Sequence, residues 1–160
     1  MDGGAQQVET NYASKLTEMT EGEWAGWFHY PGGDPFEDLA GPFYWRKDKD
    51  GRPRCAFRAE QKHMNGGGFL HGGCVMTFAD LSLFVIARDA IEGASTVTAT
   101  LNGEFVGSAH VGELVECTGE VVKAGRSMVF VRGLINSGDE PVMSFQAVIK
   151  KTGPRRESNP

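Results

Sequence analysis

The stretch from Cys74 to Ala87, CVMTFADLSLFVIA, constrains this chain more than any other. It reads as one helix from about His71 to Ala87. Leu81, Leu83, Phe84, Val85 and Ile86 form no single stripe but spread around the helix axis, so the helix needs cover on nearly every side. The run is too short to span a membrane, and it carries Asp80 in its middle.

The rest of the chain supplies that cover. From Ser95 onward the pattern changes to β-branched runs: STVTATLNGEFV, GELVECTGEVVKA, SMVFVRGLINS and EPVMSFQAVIKK. In the second run Glu116, Thr118 and Glu120 alternate with Val115, Cys117 and Val121, the mark of a half-buried strand. The loops between the runs are short, which dictates antiparallel neighbours because parallel pairs need long crossovers. Upstream, FYWRKDKDGRPRCAFRAE reads as two strands joined by a turn at Asp48–Gly51. The order is therefore hairpin, helix, four strands, and the economical arrangement is one curved antiparallel sheet around the helix. The fold class is α+β.

The lead-in is less regular. Residues 1–22 are polar, with a short helix expected around Tyr12–Met19 and a helical turn near Phe36–Leu39. Trp24, Trp27, Phe28, Tyr30 and Phe36 are expected to enlarge the core rather than cap a pocket. The division expected is a lead-in over 1–40, a main domain over 41–152 and a frayed tail over 153–160. At 160 residues the chain has room for one compact domain. A formal charge of −5 argues against a basic nucleic-acid face. No charged start with an apolar core opens the sequence, so a cytoplasmic location is expected. Three cysteines, Cys55, Cys74 and Cys117, without a CxxC pair fit reduced thiols better than disulfides or zinc. His29, His63, His71 and His110 show no metal-binding spacing.

Chemistry concentrates in NGGGFLHGGCVMTFAD, from Asn65 to Asp80. Glycines ahead of a helix let its free first-turn N–H groups approach a ligand, and these groups suit a developing negative charge. His71, Gly72 and Gly73 occupy that start; tight helix–sheet packing is the bland explanation for the glycine pair. Asp80 is a costly residue to bury unless it is paired or functional, and as a structural acid it would bond Thr77 or Ser82. Gly72 and Asp80 stand eight positions apart, about 12 Å along a helix. An oxyanion donor and a base serving one carbonyl must both lie within about 3 Å of the reacting atoms. One helix cannot easily supply both to one substrate. Two antiparallel helices in a symmetric dimer can, twice.

The segment HMNGGGFLHGGCVMTFAD resembles the motif of the PaaI-like branch of hotdog-fold acyl-CoA thioesterases. STVTATLNGEF and GEVVKAGRSMVFVRGLI are similar to that family's strands, and the resemblance spans roughly Phe43 to Thr152. It implies a five- or six-stranded antiparallel sheet around one helix, homodimers, often dimers of dimers, and hydrolysis of an acyl-CoA thioester with no metal or cofactor. By position it makes Asn65 a residue that orients or polarises the carbonyl and Gly72 the oxyanion donor. Asp80 of the partner becomes a general base or the attacking carboxylate. Thr98 falls where the family places a serine that helps position water. His71 and Gly73 would border the substrate, and Lys123 and Arg126 are candidates for the phosphates of coenzyme A, or ordinary solvated turn charges. The competing functions are a hotdog enoyl-thioester hydratase or dehydratase, a non-catalytic acyl-CoA binder, and a domain whose Asp80 serves assembly alone. Cys74, in the first helical turn, is a candidate nucleophile without a histidine–acid set, so a buried, inert cysteine is the expectation.

Overall fold

The computed structural model describes residues 16–154. Its elements are β1 (Thr17–Glu18), β2 (Phe28–His29), α1 (Pro35–Ala40), β3 (Tyr44–Lys47), β4 (Pro53–Arg58), α2 (Gly72–Ile86), β5 (Ala94–Phe105), β6 (Leu114–Ala124), β7 (Met128–Ser137) and β8 (Glu140–Pro154). Every strand pairing is antiparallel, and the strand order is β1-β2-β3-β4-β6-β7-β8-β5. The α+β hotdog arrangement expected from the sequence is the one observed, with eight strands rather than five or six. The extra two, β1 and β2, come from the lead-in and are two residues each. Segments that short get their order from the strand they join, not from a pattern of their own.

Strand alternation builds the core. Val115 and Cys117 on β6, Val129, Val131 and Ile135 on β7, and Met143, Phe145 and Ile149 on β8 are all buried. They face α2, whose Val75, Phe78, Ala79, Leu81, Leu83, Val85 and Ile86 are buried in turn. Each fully buried Phe or Leu side chain contributes about 1.5–3 kcal/mol of transfer free energy. The sheet approaches the helix closely: a Cβ at Gly119 would stand 2.6 Å from the Ile86 Cδ1.

The lead-in belongs to the same body. Trp27 is buried, Trp24 stacks on Tyr44 at 4.1 Å, and Phe28 stacks on Trp45 at 5.2 Å. Phe36 departs from the expectation of packing, being 64% exposed. The turn expected near Phe36–Leu39 is α1, capped by Asp34. The helix expected around Tyr12–Met19 is not found where it can be seen, since Thr17–Glu18 is a strand; Tyr12–Lys15 lie outside the described residues. At the other end β8 continues to Pro154, two residues beyond the expected limit.

Candidate active site

The sheet does not close around α2. Gly73, Met76, Thr77, Asp80 and Phe84 remain partly or fully exposed, as does Cys74, while Val75, Phe78, Ala79, Leu81, Ser82 and Leu83 among them are buried. At 3.6 residues per turn these five share one face. Asp80 is therefore half-buried in a single chain, not sealed in the core, because it sits on the stripe its own sheet leaves open.

A neighbour on β5 holds it. Thr98 Oγ1 donates to Asp80 Oδ1 at 2.7 Å. Neither Thr77 nor Ser82 is the partner: Thr77 Oγ1 donates back to the Gly73 carbonyl at 2.9 Å, and Ser82 is buried against the sheet. A β-bulge explains how Thr98 reaches inward. Thr98 pairs with Ile149 and Thr100 with Val148, leaving Ala99 as the extra residue. The irregularity re-aims the strand where the helix carboxylate needs a donor.

The helix start is built from the glycine loop. Asn65 Oδ1 accepts from the Gly67 and Phe69 N–H groups at 2.8 and 3.2 Å, closing the loop on itself. That use of the oxygen leaves the Asn65 amide NH2 as an outward donor on an exposed residue. His71 is the N-cap, and its Nδ1 accepts from the Gly73 N–H at 2.8 Å. A free donor at this end is therefore the Gly72 N–H, which has no acceptor among the described residues.

The packing explanation for the glycine pair finds no support within the chain. A Cβ at Gly72 would meet only the Phe105 ring, at 3.4 Å, and one at Gly73 only the His71 ring. No sheet backbone lies against either. What the missing side chains leave open is the approach to an amide.

Thr98 and Phe105 thus mark the two ends of the site along β5. Thr98 stands beside Asp80, and Phe105, 54% exposed, stands beside Gly72. Lys123 and Arg126 are exposed at the β6–β7 turn. That turn lies at the Thr98 end of the sheet, since Met128 and Val97 both pair with Lys150.

Two concavities are relevant. The larger, about 810 Å³, lies on the outer face of the sheet among Arg54, Glu104, Glu120 and Arg132, and contains none of the candidate residues. The smaller, about 170 Å³, lies where α1, β2, β3 and α2 meet, and Leu81, next to Asp80, is in its wall. Glu37 on α1 lines the same cavity and is a site neighbour that the sequence reading missed. Burial, followed by the charges of Asp34, Asp80 and Asp38, pushes its carboxyl up to about 7.

The cysteines do not fit a nucleophile's role. Burial pushes the Cys74 thiol up to about 11 and Cys117 up to about 12, and Cys55 is also pushed up, so none is a ready thiolate. Among the described residues no group of three His, Cys, Asp or Glu side chains is placed to hold a metal ion, and no helix is long and apolar enough to cross a membrane.

Comparison with known proteins bears on this geometry. A model of the thioesterase superfamily matches residues 67–144. "Putative esterase PA0474" of Pseudomonas aeruginosa is 36% identical over 115 residues, covering 71% of this chain and 86% of that protein. Acyl-coenzyme A thioesterase 13 of Homo sapiens is 28% identical over 95 residues, covering 59% of this chain and 68% of that one. Among solved structures, a hypothetical thioesterase protein with coenzyme A from Streptococcus pneumoniae superposes with a TM-score of 0.62 at 22% identity, covering 72% of this chain and 89% of that one. The PaaI protein of E. coli, from a phenylacetic acid degradation operon, gives 0.65 at 18% identity, covering 77% and 88%.

Proposed function

Because the chain belongs to the thioesterase superfamily and has the PaaI-like hotdog fold, we propose that it hydrolyses an acyl-CoA thioester to a carboxylic acid and free coenzyme A. The observation that carries this reading is the Thr98–Asp80 pair, held on the one stripe of α2 that the sheet leaves uncovered. The relatives named as acyl-coenzyme A thioesterases and the fold neighbour that holds coenzyme A support the same substrate class.

The site is completed by a second copy. Among the described residues β5 is the edge of the sheet, paired only with β8 and carrying Val97 and Phe105 about half exposed. Unpaired edges invite a partner strand. If β5 pairs with its own copy about a two-fold axis midway between Thr98 and Phe105, the Phe105–Gly72 end of one chain meets the partner's Thr98–Asp80 end. The twofold also brings the open stripes of the two helices together. One carbonyl then lies between the Gly72 N–H of one chain and the Asp80 carboxylate of the other, which a single helix cannot arrange. Exposed Val122, Met128, Phe130 and Leu134 on the outer sheet face suit a further pairing of dimers.

In the reaction, Asp80 acts as general base. It takes a proton from water as the oxygen adds to the thioester carbon, and the carbonyl oxygen becomes an oxyanion. The Gly72 N–H, at the positive end of the α2 dipole, and the outward Asn65 amide donate to that oxyanion. Collapse breaks the carbon–sulfur bond, and the leaving sulfur takes the proton from Asp80, which releases coenzyme A and restores the base. Thr98 fixes the rotamer of the base. Lys123 and Arg126 attract the nucleotide phosphates from the Thr98 end of the sheet, and His71, with Gly73 locked to it, shapes the helix start. The reaction is placed in the cytoplasm, where reduced thiols such as Cys55, Cys74 and Cys117 persist. A hydratase would be expected to set an imidazole beside the acid; here the partner of Asp80 is a hydroxyl.

The test is thiol release from a panel of aliphatic and aryl acyl-CoAs. Turnover by the wild type and its loss in Asp80→Asn support the reading, while undiminished turnover in Asp80→Asn defeats it. Single turnover in H₂¹⁸O adds to this: label found in Asp80 shows that the carboxylate attacks and that water opens the resulting anhydride at the Asp80 carbon.

A further inference from the structure

Helix α1 is inside out. Its apolar Phe36 and Leu39 are 64% and 75% exposed, whereas Glu37 between them is turned inward and half-buried. A short helix lying on a core normally does the reverse. The inward turn is held in place: Asp34 Oδ1 caps the helix by accepting from the Phe36 and Glu37 N–H groups at 3.0 and 3.1 Å, and the Gly41 N–H donates to the Glu37 carbonyl at 2.6 Å.

Glu37 is turned toward α2. α1 packs directly on that helix, and Glu37 shares the wall of the 170 Å³ cavity with Leu81, the residue next to Asp80. The titratable groups facing it are few. Asp34 and Asp38 share its own element, the charge of Asp80 on α2 acts on its carboxyl, the Cys55 thiol on β4 is within its electrostatic reach, and His29 lines the same cavity. His29 on β2 is coupled to Asp38. The cation on this side, Arg88, is turned to the Tyr30 hydroxyl at 2.7 Å and to the Trp45 ring at 4.7 Å. An inward acid near another acid, with no ion pair to balance it among the described residues, is a costly arrangement, of the kind that functional sites keep.

We propose that Glu37 is a positioning residue of the active site, whose carboxyl, turned in at the α1–α2 contact one residue from Asp80, sets how readily Asp80 takes a proton. The proposal rests on the thioesterase reading and adds to it a residue from the lead-in, outside the segment that the superfamily model matches. While Glu37 is neutral, the Glu37–Asp80 pair carries a single negative charge. Once Glu37 ionises, the pair carries two, and the repulsion falls when Asp80 accepts the proton of the attacking water. The charge then moves to the oxyanion at the Gly72 amide, away from Glu37. Proton transfer is therefore favoured by ionised Glu37. Its carboxyl is pushed up to about 7, which places the change within the working range of an enzyme assay.

The test is kcat against pH from 5.5 to 9 with the best acyl-CoA of the panel, the enzyme-free rate being subtracted. The wild type should rise roughly three- to tenfold through an inflection near 7, an effect equivalent to about half to one unit in the strength of the base. The rise should disappear in Glu37→Gln and return in Glu37→Asp, with KM changing less than kcat. A Glu37→Gln enzyme that keeps the inflection overturns the proposal. So does one that loses the same factor at every pH, because a structural role gives that result. If no acyl-CoA is cleaved by the wild type, the thioesterase reading falls and takes this proposal with it.

Discussion

Replacing Thr98 by valine removes one hydroxyl and keeps the branched shape that the strand accommodates. The bond lost is 2.7 Å long, donated to a carboxylate and partly shielded from water. Hydrogen bonds to charged groups contribute about 1.5–3 kcal/mol. If that energy holds the base in its reactive rotamer, kcat/KM falls roughly 10- to 150-fold. Thr98→Ser keeps the donor, and its loss should stay within about threefold. The assay is continuous thiol release, with kcat and KM measured separately. A double-mutant cycle adds the decisive control: in an Asp80→Asn background, Thr98→Val should cost little more, because the group it positions is gone. Equal turnover in Thr98→Val and wild type would refute the assigned role of the hydroxyl. So would a loss that persists undiminished in the Asp80→Asn background.

Further outcomes follow from the same geometry. Glu37→Gln should stabilise the fold at pH 8: the folded carboxyl ionises at about 7 against an ordinary 4.5, so wild-type stability is lost as pH rises across that window. The gain is about 1–3 kcal/mol after allowing for partial exposure, disappears near pH 4, and is read from denaturant curves. An unchanged difference at pH 4 and pH 8 would contradict it. Alkylating reagents at neutral pH should leave activity intact, since Cys74 is pushed up to about 11 and Cys55 and Cys117 are buried; rapid inactivation that tracks Cys74 labelling would reinstate a thiol mechanism. Phe78→Ala, at a fully buried position between α2 and the rings of Phe43 and Phe57, should cost about 3–5 kcal/mol of stability, measured by chemical denaturation; a cost under about 1 kcal/mol would mean that α2 is not packed as described.

The parts of this molecule legible in its sequence are those whose signal is local. The period-2 alternation of Val115, Cys117 and Val121 on β6 gives the strand away, and the Asp-Gly turn before β4 gives the hairpin. The apolar spread of α2 is also visible, and with it the need for a wrapping sheet. The narrow open stripe of Gly73, Thr77, Asp80 and Phe84 is not, because which face stays uncovered depends on where the sheet ends. The Thr98–Asp80 bond required a bulge at Ala99, and a bulge is set by strand pairing with β8, not by the residue that bulges. Thr98 itself was found only through family resemblance. Glu37 was missed altogether. It lies far from Asp80 in sequence, in a helix whose pattern would ordinarily turn an acid outward and Phe36 and Leu39 inward. Tertiary packing inverted that pattern.

The two-chain site is most directly tested by mixing two defective enzymes. Asp80→Asn removes the base. Gly72→Pro removes the amide donor with little disturbance, because proline is favoured at the first helical position and the preceding His71 already has the extended conformation that proline requires (φ −66°, ψ 131°). After unfolding and refolding an equal mixture, about half the dimers combine one chain of each kind, and each of these holds one intact site built from both chains. Recovery of about a quarter of wild-type turnover, from two parents that are each inactive, is the result expected. Activity no higher than that of the parents, with mixed dimers shown to be present, would place both groups on a single chain and contradict the account.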